Sequence, residues 1–183
     1  VGPFVPSMDA SELAKLWGQE LPDGLPPIDI AAVAAAQAAV RGALRDGTVS
    51  SAHDIAEGGL AVALAECCLG GGLGARVSLG EEFFGAEAAD ATGREAGGSG
   101  ISPDSAAALF GECSGAFLVS GGEDALHALG VSAFGASVSV RILGSVAGDA
   151  LRIECLTLAG AELIELSVPD LARAHGALAE LFA

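Results

Sequence analysis

The chain has 183 residues, enough for one good core and short for two. Twenty-four acids face eight Lys plus Arg, a net charge of −16, which excludes a cationic footprint for nucleic acid and works against anionic membrane surfaces. Apolar residues make up 51%, but much of that is alanine and aromatics reach only 4%, so the expected core is thin.

Residues 1–28 carry Pro3, Pro6, Pro22, Pro26 and Pro27 and are predicted irregular, with one short helical turn around Ser11–Trp17. Asp29 then caps a helix over "DIAAVAAAQAAVRGALRDG", whose alanines favour helix and whose Gly47 lies just past the end. Its apolar run Ile30–Val40 contains Gln37 and falls well short of the ~20 residues a membrane span needs. "TVSSAHDI" reads as a strand, "GGLAVALAECCLGGG" as a helix ending in glycines, and "LGARVSL" as an alternating strand. Residues 80–100 lack a period and are acidic and glycine-rich, which predicts a mobile loop with a short turn at Phe83-Phe84.

The second half alternates again. Ser102 caps a short helix with Pro103 at its first position, "GAFLVSG" is a strand, and "EDALHALG" is a helix closed by Gly130. "SVSVRILGSVAGDALRIECLTLAGAELIELSV" reads as three strands joined by turns, and Pro169 opens the last helix. Helices mixed with antiparallel strands predict an α+β class with a mixed, largely antiparallel sheet: an irregular segment over 1–28, then one domain over 29–183.

Cys67, Cys68, Cys113 and Cys155 form no CxxC pair, so the expectation is reduced, structural thiols in a cytoplasmic protein. No signal peptide pattern opens the sequence, and a start at Val1 rather than Met is what a fragment or excised domain would show.

The stretch "SSAHDIAEGGL" raises the chemical question. Asp54 ends a strand and Gly58-Gly59 open a helix, whose free first-turn N–H groups point at an anion or at a capping carboxylate. Asp54 and Glu57 offer oxygen ligands suited to Mg²⁺, and the glycines let a phosphate or another backbone approach closely. The other reading is a plain helix cap at Asp54 with glycines for packing, and spacing alone favours it. No Walker-type loop is present, and Lys15 is the only lysine, so a nucleotide here would need a divalent cation, backbone donors or another polypeptide. In "LFGECSG", Glu112, Cys113 and Ser114 sit between a helix and a strand, where ligand loops are common; an ordinary helix end with a turn fits the same residues. Cys113 has no cation in its neighbourhood of sequence to activate it, and His53, His127 and His175 are too scattered to argue a triad.

"VSSAHDIAEGGLAVALAECCLGGGLGARVSL" resembles the C-terminal region of the synthetase subunit of phosphoribosylformylglycinamidine synthase. "SELAKLWGQELPDGLPPIDIAAVAAAQAAVRGALRDG", "AALFGECSGAFLVS" and "LSVPDLARAHGALAELF" are similar to neighbouring segments of that family, so the match runs from about residue 11 to 182. The "HD…GGL" element by itself is shared with relatives that make aminoimidazole ribonucleotide, selenophosphate or thiamine diphosphate. The resemblance implies the C-terminal domain of the second half of an ATP-dependent ligase of purine synthesis, one that uses glutamine-derived ammonia. It also implies ATP/ADP and Mg²⁺ as cofactors. The implied partners are N-terminal domains of the same subunit, a glutaminase and a small ribonucleotide, with no nucleic acid and no membrane. No catalytic residue is implied in this chain. Asp54 and Glu57 are implied as metal ligands; Gly58, Gly59, Glu112, Cys113 and Ser114 as lining an auxiliary nucleotide site. Three departures stand out: Ala56-Glu57 replaces a frequent Ser-Asp, Ala116 replaces a common Arg, and Asp9-Ala10-Ser11-Glu12 replaces Gly-Gly-Ser-Glu. The family domain also opens with two strands that "VGPFVPSMD" does not supply, which predicts an unsatisfied sheet edge.

Overall fold

A computed structural model describes the chain except for residues 10, 21, 25–26, 85–100, 158–159 and 181–183, and the side chains of 178–180. Most of the acidic, glycine-rich loop expected over 80–100 therefore lies outside the described residues. The elements follow in order: α1 (Glu12–Leu16), α2 (Ile30–Arg45), β1 (Ser51–Ile55), α3 (Gly59–Gly71) and β2 (Ala75–Leu79). A 3₁₀ turn at Glu81–Phe83 precedes α4 (Pro103–Phe110), β3 (Ala116–Ser120), α5 (Glu123–Gly135), β4 (Gly144–Val146), β5 (Ala150–Thr157), β6 (Gly160–Ser167) and α6 (Val168–Glu180). The class is α+β, as the mixture of periods predicts.

The chain divides into two compact units. The first comprises Val1–Ala63 and Leu109–Ile142. Its sheet is the antiparallel pair β1–β3, with Ser51 opposite Ser120 and Ile55 opposite Ala116. α2 lies against both strands and against α5. Ala36, Val40 and Ala43 recur at helical spacing and form its buried stripe. Small side chains let α5 approach, so Ala36 and Ala133 are fully buried against Val138. The Asp29 carboxylate accepts the Ala32 N–H at 3.0 Å, as its N-cap position predicts. The first residues run along β3: the Val1 ammonium donates to the Phe117 carbonyl, and the Phe117 N–H donates to the Val1 carbonyl, both at 2.8 Å. Val1 thus partners β3 at Phe117 and Ser7 bridges to Glu112 ahead of that strand, while residues 1–9 form no strand of their own.

The second unit comprises Leu64–Ala108 and Leu143–Ala183. Its four-stranded sheet has the order β4-β2-β5-β6, antiparallel except for the parallel β2–β5 pair. Strand alternation assigns the core: Ala75, Val77 and Leu79 of β2 and Leu151, Ile153 and Cys155 of β5 are buried on one face. Each fully buried Leu or Ile contributes roughly 1.5–3 kcal/mol. α4 starts as the sequence predicts, with Ser102 Oγ accepting the Ser105 N–H at 3.2 Å and Pro103 in first position.

Two expected boundaries are corrected. The helix expected to close at Gly130 continues to Gly135, because Leu129 and Ala133 extend its buried stripe past the glycine. It stops where Ser137 adopts φ +58. The first strand of "SVSVRILGSV" shrinks to Gly144–Val146, since only Ala75–Val77 of β2 faces it; Val138 is drawn instead into the helical core around Ala36.

Candidate functional site

Two distant stretches meet in the first unit. The ladder sets Asp54 opposite Phe117 and Ile55 opposite Ala116, so the turn leaving β1 (56–58) lies beside the turn entering β3 (111–115). These are the "HDIAEGG" and "GECSG" segments singled out by sequence, and β1–β3 pairing is what brings them together.

Glu112 is the centre of this meeting. Its Oε1 accepts the Glu12 N–H at 2.8 Å and the Gly58 N–H at 3.0 Å. Its backbone N–H donates to the Ser7 carbonyl at 2.9 Å and its carbonyl accepts the Ser7 N–H at 3.0 Å. The first-turn donor that Asp54 would cap is therefore taken by a carboxylate from across the site. Gly59 packs against backbone, with Leu109, Phe110 and Gly111 immediately around it. A Cβ on Gly58, which has φ +78, would meet the Val62 side chain at 2.6 Å.

Cys113 is half-buried in the turn. Burial pushes its thiol up to about 11, opposed by a hydrogen bond from the Val5 backbone and by the Val1 ammonium. Its Sγ lies 4.0 Å from the Ile55 carbonyl. A thiol held neutral is a poor nucleophile and a poor metal ligand. Ser114 is exposed on the same turn.

Asp54 and Glu57 are exposed on the opposite turn. The Asp54 side chain is 67% exposed and its Oδ1 lies 3.8 Å from His53 Nδ1, which also lies 2.6 Å from the Asp54 carbonyl. Among the described residues no group of three or more His, Cys, Asp or Glu is placed to hold a metal. Two exposed hard-oxygen donors are chemically suited to Mg²⁺ carried mainly by phosphate and water, and unsuited to a cage made by protein alone.

The sequence reading did not connect α1 to Glu112. α1 is held at the site by Glu112, a hundred residues away, and brings Lys15 with it. The Lys15 ammonium pairs with the Glu12 carboxylate, which raises its pKa; slight desolvation opposes this, and Glu112 and Glu57 add to the rise. No local pattern announces such a contact; only the reach of the Glu112 side chain makes it. His127 and His175 are exposed, away from these turns in sequence, on α5 and α6. No described helix is long and apolar enough to cross a membrane.

An α+β chain with a strand–turn–helix carrying "HDIAEGGL" defines a class, and comparison names it. Residues 7–154 match the family described as AIR synthase related protein, C-terminal domain, and the chain belongs to that family. It is 32% identical over 136 residues to the phosphoribosylformylglycinamidine synthase subunit PurL of Brucella ovis, covering 74% of this chain and 15% of that protein. A Thermotoga maritima PurLQS structure shares the fold with a TM-score of 0.56 at 17% identity, over 91% of this chain and 25% of that one. Thermotoga maritima PurL complexed with ATP gives 0.58 at 19% identity, over 81% of this chain and 23% of that one. The chain thus spans about 15% of the length of the curated relative it matches.

Proposed function

We propose that this chain is the C-terminal domain of the second half of a phosphoribosylformylglycinamidine synthase synthetase subunit, and that it catalyses nothing alone. The whole enzyme would use ATP to phosphorylate the amide oxygen of formylglycinamide ribonucleotide; ammonia from glutamine would then displace phosphate and leave the amidine. The observation that carries this reading is the 32% identity to PurL of Brucella ovis over 136 residues. It is supported by a family match that takes in both turns of the site. The remaining domains of the subunit and a glutaminase are the proposed partners, in keeping with the small share of PurL the chain covers and with the PurLQS assembly of Thermotoga maritima.

Within that enzyme we assign the paired turns to an auxiliary nucleotide site for ATP or ADP with Mg²⁺. The ATP complex of Thermotoga maritima PurL supports a nucleotide. Asp54 and Glu57 would hold the cation; exposed Ser114 would donate its hydroxyl to phosphate. Gly58, Gly59, Glu112 and Cys113 would line the site, the first three fixing the turn and the thiol excluding water. Bound Mg²⁺ would supply charge to offset the polyphosphate, which a chain of net charge −16 cannot do with its own cations. The auxiliary rather than catalytic assignment is favoured by Ala116, which stands where the family commonly has Arg and removes an anion partner.

Steady-state assay of the full-length subunit with its glutaminase, and of this chain alone, tests the proposal. The expected outcome is ATP-, ammonia- and ribonucleotide-dependent phosphate release by the former only. Release by the isolated chain, or a full-length subunit that turns over a different phosphate acceptor such as selenide, would overturn it.

A further inference from the structure

We propose that Glu112 is the positioning residue of this site: a single carboxylate oxygen ties the starts of α1 and α3 to the turn that enters β3. The inference stands on the geometry and does not depend on which nucleotide, if any, the site takes.

Four strands of argument meet at this residue. Its Oε1 accepts from Glu12 and Gly58, which are separated from it by 100 and 54 residues in sequence. Its backbone exchanges both hydrogen bonds with Ser7. Among the described residues of 1–17 the only helix is the short α1, a five-residue element that has no stability of its own in water. Their place must come from elsewhere, and Glu112 supplies backbone and side-chain bonds to them at two points. The contact also brings Lys15, the only lysine, within reach of the charges of Glu112 and Glu57.

Charge makes the acceptor effective. An ionised carboxylate accepting from backbone N–H groups forms bonds about twice as strong as neutral ones. Both donors lie at helix starts, where the amide is otherwise unpaired. Because the Gly58 amide is already satisfied by Glu112, a phosphate approaching this turn meets an occupied donor and a negative charge. The side chains left exposed to a ligand at these turns are those of Asp54, Glu57 and Ser114.

Residue-resolved amide measurements on the chain itself, with Glu112→Ala and Glu112→Gln, test the proposal. In the unaltered protein the Glu12 and Gly58 amide protons should resonate downfield, as amides bonded to a carboxylate do. Glu112→Ala should move both upfield together and speed their hydrogen exchange by about tenfold or more, leaving the amides of β5 and β6 unchanged. Glu112→Gln should restore most of the protection, since its side-chain oxygen still accepts, with smaller upfield shifts that report the lost charge. A side chain that merely fills space would give neither the paired signature nor the rescue by Gln. The proposal is overturned if either amide keeps its shift and exchange rate in the Ala variant. Should that variant fail to fold, the Gln variant decides: both amides must move together, and an unmoved pair overturns it.

Discussion

Gly59 and Gly111 approach so closely that a Cβ on Gly59 would lie 2.7 Å from the Gly111 carbonyl oxygen. The same Cβ would lie 2.8 Å from the Leu109 carbonyl, and Gly59 has φ +71. Gly59 of "AEGGL" is thus explained by backbone packed on backbone, and both glycines by a left-handed turn into α3, before any ligand is considered.

Gly59→Ala should therefore destabilise by about 2–4 kcal/mol, combining left-handed strain with displaced backbone. Gly130→Ala is the control, because Gly130 lies inside α5 with open space around it. It should stabilise by about 0.5–1 kcal/mol. Urea unfolding of the two variants checks both signs; equal effects would show that the close approach to residues 109–111 is not what selects glycine.

Asp54→Asn separates ligand from cap. Glu112 already takes the Gly58 amide and the Asp54 side chain is mostly exposed, so the melting temperature should hardly move. If the carboxylate holds Mg²⁺, calorimetric titration of the full-length protein with ADP should lose most of its Mg²⁺-dependent affinity. Unchanged affinity would remove Asp54 from the proposed site.

Cys113 should resist thiol reagents. Lifting a thiol from 9.0 to about 11 lowers the thiolate fraction at neutral pH about a hundredfold. Labelling with iodoacetamide, followed residue by residue by mass spectrometry, should leave Cys113 slow by at least that factor relative to a free thiol. A rate equal to that of free cysteine would place the side chain outside its half-buried position.

Glu162 confers a pH dependence on the second unit. Desolvation pushes its carboxyl up, but hydrogen bonds from the Ser105 hydroxyl and from Ser102 outweigh this and hold it below the usual range. Both its oxygens accept the Ser102 N–H, at 3.0 and 3.1 Å, just ahead of α4. A depressed folded-state value means stability present above the ordinary glutamate pKa and lost as pH falls through the lowered one. Thermal melts between neutral pH and strongly acidic pH should show the unaltered protein losing its advantage over Glu162→Gln in that acidic window. A gap that stays constant with pH would show that ionisation of Glu162 does not matter.

The sequence was sufficient wherever the cause is local. Asp29 and Ser102 cap because a short oxygen-bearing side chain meets free amides two or three residues on. β2 and β5 announce themselves because alternate residues must face a core, and the family signature is legible because it is carried by contiguous residues. Tertiary structure alone decided that Glu112 would cap helices beginning at residues 12 and 59, and that Gly130 would lie within a helix rather than after one. It alone decided that Val138 would join the helical core and not a strand. The reason is the same in each case. Hydrogen bonding and burial reward whichever partner folding brings within reach, and a partner a hundred residues away leaves no trace in local spacing.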